Sequence, residues 1–233
     1  MCAVVRGGSP PVWREARLVA GKDLRIELRS RVGIGQIAPF AVLVLVLFAF
    51  ALDADTEALR RFTGGLFWVT VLFSAILTVQ RSFAIETHDG NRDALRLSGM
   101  DPAAIFFGKA GAIALELLAL EVVLGAGVAV FYGPSLERPL LLVATSVVAT
   151  VGVAAAGTLY GVLAAGLRVR ETILPILLLP VLAPVLIGAT RAFDDALGAV
   201  AVNGWNWLAL LGLAAVVYVA FGALAFGVLL EES

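Results

Sequence analysis

Residues 80–109 read QRSFAIETHDGNRDALRLSGMDPAAIFFGK, and the residues with candidate chemistry lie in this stretch and just beyond it. Glu86, Asp89, Arg92, Asp93 and Arg96 crowd around the Asp89-Gly90 pair, with Leu95 among them. Lys109, Glu116 and Glu121 follow inside an apolar run. His88-Asp89-Gly90-Asn91 is a turn signal. Arg92–Ser98 has the length of two helical turns, and Gly99 is a natural helix stop. Asp101 then reads as the N-cap of the next helix and Pro102 as its first residue. The punctuation predicts a short charged helix held rigidly between two apolar ones. Such an element can pass force from a soluble partner to the helices that flank it.

Other chemistries are poorly supplied. Gly108-Lys109 is followed by Ala110, and no glycine stands five residues before Gly108, so a phosphate-binding loop is ruled out. ATP hydrolysis would therefore fall to a separate chain. No nucleophile triad or metal-ligand cluster is visible. The one cysteine, Cys2, excludes an internal disulfide, and the one histidine, His88, lies in the charged loop. The net charge of −1 gives no reason to expect a nucleic-acid partner.

The elements that must position these residues are apolar. The chain is 61% hydrophobic, and its mean hydropathy is +0.98. Runs of 18 or more apolar residues read as membrane spans, and each must be helical because lipid offers no partner to an unpaired backbone group. Six spans are predicted, at about 34–52, 64–83, 103–132, 140–167, 173–190 and 205–230. Pro175, Pro180 and Pro184 predict a bent or interrupted fifth span. Asp194 and Asp195 argue against deep burial of the turn that follows it. Gly157, Gly161 and Ala165, four apart, suit close helix contact, either within the chain or between two copies. Trp205 and Trp207 suit a membrane-interface anchor. Residues 1–12 read as a disordered leader. Residues 13–31, WREARLVAGKDLRIELRSR, read as an amphipathic helix on the membrane surface. The six-span body then occupies 32–233, with residues 84–101 as its charged inter-span segment. No cleavable signal peptide is visible.

Arg6, Arg14, Arg17, Lys22, Arg25, Arg29 and Arg31 precede the first span, and Arg81, Arg92, Arg96, Arg168 and Arg170 belong to the same side. The other side holds Arg60, Arg61, Arg138 and Arg191. The excess places both termini in the cytoplasm.

Lys109, near the cytoplasmic end of the third span, is accounted for by snorkelling. Glu116 lies about two turns deeper on nearly the same face, and Glu121 points about 140° away from Glu116. Charge at this depth is expensive. One reading turns Glu121 to a polar cavity or a dimer axis and Glu116 to a neighbouring helix. The other keeps both protonated and hydrogen-bonded to groups such as Gln80 or Thr78.

The order Glu86, Asp89-Gly90, Leu95–Leu97, Ser98-Gly99-Met100-Asp101, Gly108-Lys109 resembles the coupling region of ABC-2-type permeases. Three further stretches, KDLRIELRSR (22–31), GLFWVTVLFSAILTVQRSFAIE (65–86) and LPILLLPVLAPVLIGATRA (174–192), are similar to the cytochrome c maturation protein B family, CcmB, the haem exporter permeases. One departure is Arg92-Asp93-Ala94-Leu95, where the family usually carries Leu-Glu-x-Leu.

The resemblance implies an all-α, six-span ABC-2-type permease in the bacterial inner membrane. It implies a separate ABC ATPase that carries the ATP and a second copy of this chain. It also implies a haem-handling membrane partner and a haem chaperone. Haem would be the cargo, or its loaded chaperone would be released on ATP hydrolysis. With no intramembrane histidine, this subunit is not expected to hold haem tightly. Arg92–Ser98, with Glu86 and Asp89, would dock in a groove of the ATPase, with Arg168–Glu171 on the same side. Two other readings are an ABC-2 permease for a drug, lipid or polysaccharide, and a membrane scaffold without transport.

Overall fold

The computed structural model describes residues 11–30, 33–52, 56–87, 99–133, 135–165 and 170–232. Among them the regular elements are all helical. They are α1 (Val12–Ser30), a π-helical turn (Gly33–Ile37), α2 (Ala38–Ala51), α3 (Thr56–Thr87), α4 (Pro102–Phe131), α5 (Pro139–Ala165), α6 (Arg170–Ala196) and α7 (Gly204–Glu232). Five helices, α3 to α7, are long and apolar enough to cross a membrane. A sixth span is reached only if α1 and the run Gly35–Ala51 count together as one bent span. At 14 residues, α2 measures about 21 Å and falls short of the roughly 30 Å hydrocarbon core, so the first span needs the π-helical turn that leads into it. The chain is a polytopic, all-α membrane protein.

Several helix ends follow from local chemistry. The Asp101 carboxylate accepts the Ala103 N–H at 2.8 Å, and Pro102 opens α4 where its missing N–H is not needed. Gly99 turns the chain into this cap with φ of 69°, a conformation open to glycine. At the other end of α4, the Tyr132 hydroxyl donates to the Leu45 carbonyl at 2.9 Å and ties α4 to α2.

The core lies between α3, α4, α5, α6 and α7, with Trp68, Phe106, Leu117, Leu124, Leu178 and Phe226 almost completely buried. Gly157 and Gly161 serve this core. A Cβ at Gly157 would sit 2.6 Å from Val79 Cγ2, and one at Gly161 would overlap the Phe83 ring. The small-residue row on α5 is thus filled by α3 of the same chain. Its contact is internal.

The fifth span departs from expectation in two respects, its continuity and its C-terminal end. α6 runs without interruption from Arg170 to Ala196, through Pro175, Pro180 and Pro184. It also continues past Thr190, so that Asp194 and Asp195 lie in its last turn, and both are buried. Burial is tolerated because Asp195 has partners. It pairs with Arg138 and accepts the Gly204 N–H at 2.9 Å. The Ala196 carbonyl receives the N–H groups of Glu137 and Arg138, both at 3.0 Å. The 135–138 and 197–204 connections are latched together at this end of the bundle.

Candidate functional site

The opposite end of the bundle carries α1 and the flanks of the charged segment. Glu86 lies in the last turn of α3. Asp89, Gly90, Arg92, Asp93, Leu95 and Arg96, like His88, Arg168 and the 1–10 leader, lie outside the described residues. The described flanks are held by α1.

On an ideal helix the acids Glu15, Asp23 and Glu27 fall within an arc of about 120°, Arg14, Arg17, Arg25 and Arg29 lie outside it, and Lys22 stands at its edge and pairs with Asp23 at 3.0 Å. The acidic face meets the bundle. Glu15, itself buried, accepts the Asp101 backbone N–H at 2.9 Å, at the entry to α4. Asp23 pairs with Lys109 at 3.4 Å. Glu27 pairs with Arg81 at 2.9 Å, and Arg81 also donates to the Ser30 hydroxyl at 2.7 Å. Trp13 packs on Phe107 with ring centroids 5.3 Å apart. Gly108 allows the approach, since a Cβ there would lie 2.6 Å from Val19 Cβ and 2.7 Å from the Ala16 carbonyl oxygen. Arg14, Arg17, Arg25 and Arg29 face outward with Leu18 and Leu28.

Lys109 therefore does not snorkel. It is 1% exposed, and its ammonium reaches Asp23 and lies 4.7 Å from the centre of the Phe83 ring. A charge taken this far from water needs a close partner. Glu15, Asp23 and Glu27 were not singled out as site residues from the sequence, although their common arc was legible there. What was missing was the location of the cations they answer, which sit on α3 and α4.

Glu116 lines a small gap with Asp23, Ile26 and Glu27 of α1 and Thr78, Arg81 and Ser82 of α3. It faces neighbouring helices, and Thr78, which the other reading named as a partner, lines the same gap. Glu121 is buried and faces elsewhere. Its Oε1 accepts a hydrogen bond from the Thr150 hydroxyl on α5, so its partner is neither Gln80 nor Thr78. The cavity that Glu121 lines is walled by Phe67, Leu118, Val128, Leu142 and Phe193 and is apolar, where a polar one was expected. Among the described residues no cluster of three or more His, Cys, Asp or Glu side chains could hold a metal ion.

These features define a multi-span, all-helical membrane protein whose N-terminal helix is clamped to the flanks of a charged inter-span segment. The model of the family described as CcmB protein matches residues 15–233, and the chain belongs to that family. Heme exporter protein B of Paracoccus denitrificans is 30% identical over 212 residues, 88% of this chain and 94% of that protein. Heme exporter protein B of Rhodobacter capsulatus is 30% identical over 172 residues, 73% of this chain and 78% of that protein. Its counterpart in Escherichia coli K12 is 29% identical over 204 residues, 86% and 88% of the two chains.

Proposed function

We infer that this chain is the membrane permease subunit of a haem exporter that serves the biogenesis of c-type cytochromes. The observation that carries the reading is the family match over residues 15–233, which takes in the spans and the charged segment together. An ABC ATPase on a separate chain supplies ATP hydrolysis. Haem is the cargo, or the loaded haem chaperone is the species released. A haem-handling membrane partner and a second copy of this chain complete the assembly, in the bacterial inner membrane.

The excess of Lys and Arg on the α1 side places that end, and both termini, in the cytoplasm. The outward arginines of α1 meet lipid phosphates while its acids hold the bundle. Residues 86–98 dock in a groove of the ATPase. The clamp supports this role. Arg81 is held by Glu27 and Ser30 shortly before the segment begins, and Asp101 is held by Glu15 where it ends. A displacement of the segment is thus delivered to α1, α3 and α4 together.

The test is a pull-down of the full chain from detergent, wild type beside Leu95→Arg, followed by mass spectrometry. The reading expects an ATPase and a haem-binding membrane protein with the wild type, and loss of the ATPase from the variant. An ATPase without a haem partner would transfer the cargo to another class of molecule. Absence of any ATPase from a stable, monodisperse wild type would leave a scaffold.

A further inference from the structure

The apolar cavity beside Glu121 has no task in the reading above. It encloses about 440 Å³ between α3, α4, α5 and α6. That volume falls in the range of small-molecule sites, which are mostly apolar with a few placed polar groups. Glu121, Thr63 and Ser146 are the polar side chains in its lining. Val122, Val143 and Val147 stand at its outer side and are exposed on the bundle surface. The cavity is therefore reached from the hydrocarbon region.

Glu121 is the unusual member. It is 6% exposed, the Thr150 hydroxyl donates to its Oε1, and the Ser146 hydroxyl also lies beside the carboxyl. Its Oε2 is buried without a hydrogen-bond partner. A carboxyl oxygen left unserved in an apolar setting is costly to keep, and a donor brought by a ligand would remove that cost. Gly125 keeps space open next to it, since a Cβ there would meet nothing within 4 Å.

We propose that this cavity is a membrane-accessible binding site for a lipophilic amine, whose N–H group is received by Glu121 while its apolar body fills the space between α4 and α5. The complement is chemical. The walls select apolar shape, and the unserved oxygen selects an N–H donor, a protonated one above all, because a carboxylate opposite a cation makes the stronger hydrogen bond. This site is separate from the charged segment and does not depend on the identity of the exported cargo.

The probe is 9-aminoacridine, a planar lipophilic amine that fluoresces. Its partner is anthracene, which has the same planar shape and no nitrogen. Both are titrated against the full chain in a neutral detergent. The proposal expects saturable binding of 9-aminoacridine by the wild type and binding at least about tenfold weaker to Glu121→Gln. Gly125→Phe, which fills the cavity, should abolish binding. Equal saturable binding of anthracene and 9-aminoacridine, unaffected by Glu121→Gln, would overturn the assignment to amines. Absence of saturable binding, or binding that survives Gly125→Phe, would overturn the site. Should Glu121→Gln fail to elute as a monodisperse species, the Gly125→Phe and anthracene comparisons still decide the outcome.

Discussion

Replacing Gly108 by alanine tests the seating of α1 with a single methyl group. The added Cβ would lie 2.6 Å from Val19 Cβ and 2.7 Å from the Ala16 carbonyl oxygen. Carbon atoms pack at about 3.5–4.0 Å, so α1 must withdraw by about 1 Å. The Ala16 contact is backbone, and no rotamer change relieves it. A withdrawal of that size carries the Glu15–Asp101 hydrogen bond, now 2.9 Å, out of bonding range. It also loosens the Lys109–Asp23 pair, now 3.4 Å. Overpacking of this kind costs about 1–3 kcal/mol. Gly111, three residues further along α4, is the control, since a Cβ there meets nothing within 4 Å. Gly111→Ala should be neutral or up to about 1 kcal/mol more stable than wild type. The assay is thermal unfolding in detergent, joined to hydrogen–deuterium exchange across residues 12–30. Gly108→Ala should melt earlier, and its α1 amides should exchange faster. A variant that melts and exchanges like wild type would refute the seating of α1 on Gly108, and with it the clamp.

Two further outcomes follow from the packing. Gly161→Ala drives a methyl group into the Phe83 ring and should destabilise the chain by about 1–3 kcal/mol without changing its mass by light scattering, because this contact is internal; a shift from dimer to monomer would instead place the small-residue row at a subunit interface. Asp195→Ala removes the acceptor of the buried Gly204 N–H and the partner of the half-exposed Arg138, and should cost about 1–3 kcal/mol, chiefly for the unserved N–H, with faster proteolysis in residues 197–204 as the readout.

The start of α4 was legible to the residue. Asp101 and Pro102 can be placed without tertiary knowledge, because an N-cap involves groups only two residues apart. The left-handed turn at Gly99 is local in the same sense. The extent of α6 was not legible. Asp194 and Asp195 look like residues that end a span at the water surface. They continue the helix instead, because Arg138 and the Gly204 N–H come to Asp195 from other parts of the chain. Lys109 failed in the same way. Its position near a helix end suggested the water interface, but α1 folds over it and supplies Asp23.

What the sequence by itself determined is the class of protein and the sites of its helices. A backbone in lipid must bond to itself, so each long apolar run becomes a helix whatever its neighbours are. The family, too, was legible from stretches of local sequence. Tertiary structure alone decided which face of each helix meets which partner. It turned the acids of α1 inward, matched Gly157 and Gly161 to Val79 and Phe83, and left one oxygen of Glu121 unserved beside an apolar cavity. The physical reason is that the spanning helices are apolar nearly all round, and α1 is charged on both sides, so hydrophobicity alone does not choose their orientation. Close packing and the pairing of a few buried polar groups do, and those partners are tens of residues apart in the chain.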